Sequence, residues 1–127
     1  MNGNRLQAVL HLENKYSFSN MRIDTNVLRD SVGLSTLLRI TNDHGKVINK
    51  IKFNNAQRCQ RTNSRINAVL GTIEVEFIRG NLTHRIPVDV LGTEQGDVGV
   101  IIGRQTSGLL DMQFTHPPEV IDVSSDE

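Results

Sequence analysis

The 127-residue sequence contains no tryptophan, and aromatic residues make up only 4% of it. It has a single cysteine, Cys59, so an intramolecular disulfide is excluded and a reducing compartment is expected. No apolar run approaches the roughly 18 residues of a membrane span. Fourteen basic and fourteen acidic residues cancel, so no net charge attracts the chain to nucleic acid or to a membrane. The length fits one domain. Its few large side chains limit the core that it can bury alone, which favours pairing with a second copy.

Alternation of apolar and polar residues predicts strands along most of the chain. The clearest strand contains Ile73, Val75 and Phe77, and a return strand follows over residues 82–91. Residues 6–13 predict a first strand, and a second is expected to end near Asp24. The stretch from Val100 to Ile102 is apolar throughout, as in a strand buried on both faces. Residues 109–114 predict a last short strand, and the polar residues 54–65 predict a loop or hairpin tip.

Residues 27–40 allow two interpretations. The leucines of this stretch fit a short amphipathic helix, against which Gly33 counts, and they equally fit a loop followed by a strand. Further on, Pro117-Pro118 predicts the end of the domain. The sequence therefore predicts a folded domain over residues 1–116 and a flexible acidic tail over residues 117–127.

The order of these elements resembles that of the retroviral and retrotransposon aspartic proteases, the retropepsin-like family. The similarity covers roughly residues 6–114 and is most specific from Gly71 onward, ending in the strand–Gly–Arg step of Val100-Ile101-Ile102-Gly103-Arg104. The resemblance implies an all-β fold, a small closed barrel with one short helix, that assembles as a homodimer. It also implies a structural role for Gly103 and Arg104, with Asp24 or Asp30 as the partner of Arg104.

Catalysis in that family requires an Asp-Thr/Ser-Gly triplet, in which one aspartate from each subunit shares a proton. In Asp24-Thr25-Asn26 the aspartate stands at a strand end, as the pattern requires, but asparagine replaces the glycine. In Asp30-Ser31-Val32-Gly33 a β-branched valine takes the glycine position. Asp24 is the preferred catalytic residue and Asp30 the alternative. Both departures favour a non-catalytic member, in which Asp24 is a strand-end or helix-capping carboxylate and Asp30 is a solvated charge on a helix face.

The C-terminal residues resemble a SUMO-interacting motif, in which a short apolar run with an embedded acid is flanked by acids or phosphorylatable serines. The predicted binding residues are Val120, Ile121, Asp122, Val123, Ser124, Ser125, Asp126 and Glu127. Such a segment binds as an added strand on a sheet edge, and phosphorylation of a serine would add charge to it. The alternatives are a disordered acidic tail and a last strand that docks on its own domain.

A basic segment with no acidic residue covers positions 46–65. Its only aromatic residue is Phe53, so stacking on bases is unsupported, and a solvated hairpin is favoured over a nucleic-acid site. The four histidines are scattered, so neither a metal nor another cofactor is expected.

The sequence thus predicts a non-catalytic homodimerisation and protein–protein interaction module. Its expected partners are a second copy and SUMO or sumoylated proteins, inside the cell, in the nucleus or a cytoplasmic ribonucleoprotein granule. Two alternatives stay open: an active aspartic peptidase of retroelement type, and a nucleic-acid-binding domain that uses residues 46–65.

Overall fold

The computed structural model describes residues 5–62, 65–92, 99–112 and 120–122. Most of these residues are in strands, which confirms the all-β prediction at the level of fold class. The elements are β1 (Leu6–His11), β2 (Lys15–Ser17), β3 (Met21–Asp24), β4 (Ser31–Gly33), α1 (Leu34–Thr41), α2 (His44–Lys50), β5 (Lys52–Thr62), β6 (Arg65–Arg79), β7 (Leu82–Leu91), β8 (Val100–Ile102), α3 (Arg104–Leu109) and β9 (Val120–Asp122).

One curled sheet holds all of these strands, in the order β2-β1-β6-β7-β4-β8-β3-β9, with β5 paired to β6. Its curvature gives a half-barrel instead of the closed barrel that the sequence predicted. The long strand β6 is central, because it pairs antiparallel with β1, β5 and β7. Its residues Ile73, Val75 and Phe77 are all buried, as the alternation predicted. In the described part of the chain, no helix is long and apolar enough to cross a membrane.

Three short helices replace the single helix that the sequence predicted. Residues 27–40 contain parts of both predicted arrangements, because a loop leads into the short strand β4 and helix α1 follows that strand directly. Helix α1 ends at Asn42, which has a left-handed φ of 49° and donates its backbone N–H to the Leu38 oxygen at 2.9 Å. The next residue, Asp43, begins α2 by accepting the Lys46 N–H at 3.2 Å. Only α3, which follows Gly103, lies where the resemblance placed a helix.

Two strand boundaries also differ from the prediction. Residues 54–62 are not a loop, because they continue β5 and pair with β6. Leu109 ends α3 and Leu110–Asp111 form a turn, so the last strand predicted over 109–114 is wrong for these residues. Positions 113 and 114 lie outside the described residues. The predicted domain boundary at residue 117 lies outside them as well, and beyond it the described residues 120–122 belong to the same sheet as strand β9.

Candidate functional site: a buried carboxylate cluster

The loop over residues 25–30 connects two strands that both lie against β8. β3 pairs with β8 in parallel, and β4 pairs with β8 in antiparallel orientation. Gly103 follows β8 immediately, and the next residue, Arg104, donates its N–H to the Val27 oxygen at 2.8 Å. The end of β8 and the start of α3 are therefore fastened to this loop, which follows directly after Asp24 and ends with Asp30, the two candidate catalytic aspartates.

Asp24 caps the turn that it begins. Its Oδ1 accepts the backbone N–H of Asn26 at 3.0 Å, and the residue is only 7% exposed. Its Cα lies opposite that of Val120 in the antiparallel pairing of β3 with β9. The prediction that Asp24 stands at the end of a strand is confirmed. Of the two non-catalytic alternatives for Asp24, the strand-end carboxylate is the one observed, and it caps a turn instead of a helix.

Asp30 is a buried acceptor that ties the loop to α3. It is 3% exposed, and its Oδ1 accepts the Gly103 N–H at 2.7 Å. Its Oδ2 accepts the Thr106 hydroxyl at 2.5 Å. Burial raises the pKa of the Asp30 carboxyl above its usual range, although the hydrogen bonds from Thr106 and Gly103 act in the opposite direction. Both carboxylate oxygens are therefore used within the fold, and the solvated position that was the structural alternative for Asp30 is wrong.

A second buried carboxylate, Asp89 on β7, lies beside Asp30. The Asp89 N–H donates to the Asp30 backbone oxygen at 3.0 Å. The Arg29 guanidinium makes a bidentate contact with the Asp89 carboxylate, in which Nε donates to Oδ2 at 3.0 Å and Nη2 donates to Oδ1 at 2.8 Å. Asp89 is 1% exposed. We call Arg29, Asp30, Asp89, Gly103 and Thr106 the carboxylate cluster.

Three members of the carboxylate cluster, Arg29, Asp30 and Thr106, line a small cavity of about 190 Å³. The cavity is lined by Leu28, Arg29, Asp30, Ile86, Pro87, Gln105, Thr106 and Leu109. Its rim is apolar, since Leu28 and Leu109 are 52% and 46% exposed. Buried acceptors held by fixed donors give rigidity, and both oxygens of Asp30 are committed to such donors.

Gly103 and Arg104 are placed next to the loop, but their contacts differ from those expected. The Arg104 guanidinium donates to the Thr25 carbonyl at 3.5 Å and not to Asp24 or Asp30. Asp30 bonds instead to the backbone of Gly103 and to Thr106. Sequence reasoning missed Asp89, although an acid between Val88 and Val90 in an apolar strand is the pattern of a buried, paired carboxylate.

The predicted SUMO-binding tail is represented by three residues. Val120, Ile121 and Asp122 form β9, which pairs antiparallel with β3 through the register Asp24↔Val120, Ile23↔Ile121 and Arg22↔Asp122. Residues 123–127 lie outside the described part of the chain. For its first three residues, the segment is a strand docked on its own domain, which was one of the alternatives to partner binding.

The first lysine of the basic segment has acidic partners. Lys46 is bound to Glu13 at 2.6 Å and to Asp43 at 3.4 Å, so it is neutralised within the fold. Cys59 is exposed. Across the described ranges, no group of three histidine, cysteine or acidic side chains is arranged to hold a metal ion.

Three comparisons with known proteins, made with family models, curated sequences and solved structures, gave no match to this chain.

The burial of Asp30 predicts a pH dependence of stability. The usual pKa of this carboxyl is 3.8, and the folded state raises it. The folded protein therefore binds more protons than the unfolded chain between these two pKa values, and the contribution of Asp30 to stability falls as pH rises through that window. Asp30→Asn keeps an acceptor for Gly103 and cannot ionise. We expect wild type to lose stability relative to Asp30→Asn from pH 3 to pH 7 in urea unfolding, and parallel curves would contradict this.

Proposed function

We propose that this chain is a non-catalytic homodimerisation and protein–protein interaction module of retropepsin-like fold. The observation that supports it most is the use of both Asp30 oxygens within the fold, where they accept hydrogen bonds from Gly103 and Thr106. Asp24 accepts the Asn26 N–H of its own turn through one oxygen. A catalytic pair would need one such carboxylate from each subunit, both directed at one water. Here Asp30 fastens the loop to α3, and Asp24 caps the turn at the end of β3.

The proposed interaction segment is the tail that begins with β9. Strand β9 ends the described sheet, so it pairs with β3 on one side only. A segment that already pairs as a strand suits recognition by strand addition, and the proposed partner is SUMO or a sumoylated protein. If the partner takes the edge of the tail that β3 occupies, docking of β9 competes with binding. The apparent affinity is then the intrinsic affinity of the free tail multiplied by the fraction of tail that is undocked.

The homodimer is tested by light scattering. We expect a mass twice the 14.2 kDa of the chain at micromolar concentration. A dimer presents two tails, so weak binding by each tail would gain from avidity. A monomer at every concentration would remove the homodimer from the proposal without affecting the tail.

The tail is tested by titration of labelled SUMO with a peptide of residues 117–127 and with the whole chain. We expect the peptide to bind more tightly than the chain. The variant Arg22→Glu places like charges opposite each other at Asp122, so it weakens β9 docking and raises the affinity of the whole chain. Lys15→Glu, an exposed change on β2, is the control and leaves the affinity unchanged. No signal from the peptide at millimolar concentration, with or without phosphoserine, would remove the tail claim.

One observation favours the peptidase alternative, with Asp24 contributed by each subunit. Among the described residues, the Asp24 carboxylate accepts only the Asn26 N–H, so its second oxygen remains available to a water or to a partner subunit. This alternative requires cleavage activity that depends on Asp24.

A further inference from the structure

A cleft of about 330 Å³ lies apart from the carboxylate cluster, where β1, α2, β5, β6 and β7 meet. Its lining is formed by Leu10, His11, Lys50, Lys52, Thr72, Ile73, Glu74, Arg85 and Pro87. The cleft therefore combines four basic side chains from four different elements with one acidic side chain. Its volume is at the lower end of the range for small-ligand sites, about 300–1,000 Å³.

Glu74, the acidic side chain of the lining, and its neighbour Glu76 on β6 already have partners. His11 Nε2 donates to Glu76 Oε1 at 2.8 Å, and this hydrogen bond lowers the pKa of the Glu76 carboxyl. Arg85 lies 3.6 Å from a carboxylate oxygen of both Glu74 and Glu76. Arg85 and His11 therefore compensate the two glutamates.

The two lysines have no such compensation. Lys50 ends α2 and Lys52 begins β5, and neither makes an ion pair with any described residue. Two unpaired ammonium groups at one concave surface create a local positive potential that attracts an anion. The C-terminal end of α2 carries a negative partial charge that offsets part of the Lys50 charge, so the attraction comes from the two lysines alone.

The floor of the cleft is apolar. Leu10 and Ile73 belong to the core and are 1% and 3% exposed, and Pro87 closes one side. The hydroxyl of Thr72 is the uncharged polar group of the lining. An anion attached to a small apolar body therefore fits better than a bare ion, because the body covers the floor while the charge meets the lysines.

We propose that this cleft binds a small phosphate monoester. The phosphate carries close to two negative charges near neutral pH and matches both lysines, whereas a carboxylate carries one and leaves a lysine unmatched. The apolar part of the ester lies on Leu10, Ile73 and Pro87. The proposal of this site does not rest on the dimer or on the tail.

The test is a titration with phenyl phosphate at constant ionic strength, followed by ¹H–¹⁵N NMR. We expect saturable shifts of the Lys52, Thr72 and Glu74 amides, with a dissociation constant of about 1 mM or below. Benzoate, which has the same ring and one charge, binds at least about threefold more weakly. Lys52→Glu weakens phenyl phosphate binding by at least about tenfold.

Arg5→Glu is the matched control, because it reverses an exposed charge outside the cleft, at the end of β1 opposite to Leu10 and His11, and leaves the dissociation constant unchanged. Thermal melting of both variants checks that they fold. The proposal is overturned if phenyl phosphate gives no more shift than chloride at equal ionic strength. It is also overturned if benzoate binds equally well, or if Arg5→Glu weakens binding as much as Lys52→Glu does.

Discussion

Replacing Gly103 with alanine is expected to lower the free energy of unfolding by about 3 kcal/mol, at the upper end of overpacking costs. A Cβ at this position would lie 2.6 Å from the Leu28 carbonyl oxygen and 2.8 Å from its carbon. Both obstructing atoms belong to the backbone, so no side-chain rotation relieves the contact. The displacement would also lengthen the bond from the Gly103 N–H to Asp30, which is 2.7 Å in the native fold.

Gly108, five residues later in α3, is the matched control. It is exposed, and a Cβ there would meet no atom within 4 Å. Gly108→Ala is therefore expected to stabilise the protein by about 0.5–1 kcal/mol through the higher helix propensity of alanine. Urea unfolding of both variants measures the difference. Equal stabilities would show that the loop is not packed against Gly103 as described.

Arg29→Met is expected to have the second large effect, a loss of about 2–3 kcal/mol. The Asp89 side chain is 1% exposed and would lose both guanidinium hydrogen bonds, while the Arg29 side chain is 48% exposed. Removing one partner of a fully buried pair costs about 3–5 kcal/mol, and we lower this range because water already reaches Arg29. This difference in exposure predicts that Asp89→Asn lowers the free energy of unfolding less than Arg29→Met does, because the arginine left behind can be hydrated.

The double variant Arg29→Met/Asp89→Asn separates charge pairing from packing. We expect it to recover part of the loss, because a neutral amide needs no counter-charge, and the coupling is read from a double-mutant cycle of chemical denaturation curves. Arg85→Met is the control, because Arg85 meets its glutamates at 3.6 Å on an exposed surface and is worth less than about 1 kcal/mol. An Arg29→Met variant as stable as Arg85→Met would contradict the role given to the carboxylate cluster.

The sequence predicted the strands whose pattern is local. Ile73, Val75 and Phe77 alternate regularly, and the apolar run of β8 is buried on both faces as expected. Helix α1 was left open as one of two interpretations and α2 was missed, because they have only eight and seven residues, too few for propensity to decide against tertiary packing. Their shared signal was Asn42-Asp43, which ends one helix and begins the next but reads as a simple turn.

The site was harder to predict because its contacts are distant in sequence. Asp30 meets Gly103 and Thr106 across 73 and 76 residues, and no local pattern indicates those partners. The departures from the catalytic triplet were visible at Asn26 and Val32, and they favoured a structural role before any contact was known. The carboxylate cluster also depends on Asp89, and the only sequence signal of its burial was an acid within an apolar strand.

The pairing of β9 with β3 connects the candidate site to the proposed binding of a partner by the tail. Asp24 ends β3 and lies opposite Val120, so the docked tail covers the backbone beside one candidate catalytic residue. Release of β9 would expose this edge and the tail together. The strand exchange that we propose for partner binding would therefore also alter the surroundings of Asp24.

The most direct test of the non-catalytic assignment is peptide cleavage. Wild type and Asp24→Asn are incubated with a mixed peptide library at mildly acidic pH, and new termini are counted by mass spectrometry. Asparagine keeps an oxygen that can accept the Asn26 N–H, so the variant retains its turn. We predict no cleavage by wild type above the level of the variant. Cleavage by wild type that Asp24→Asn abolishes would contradict the account.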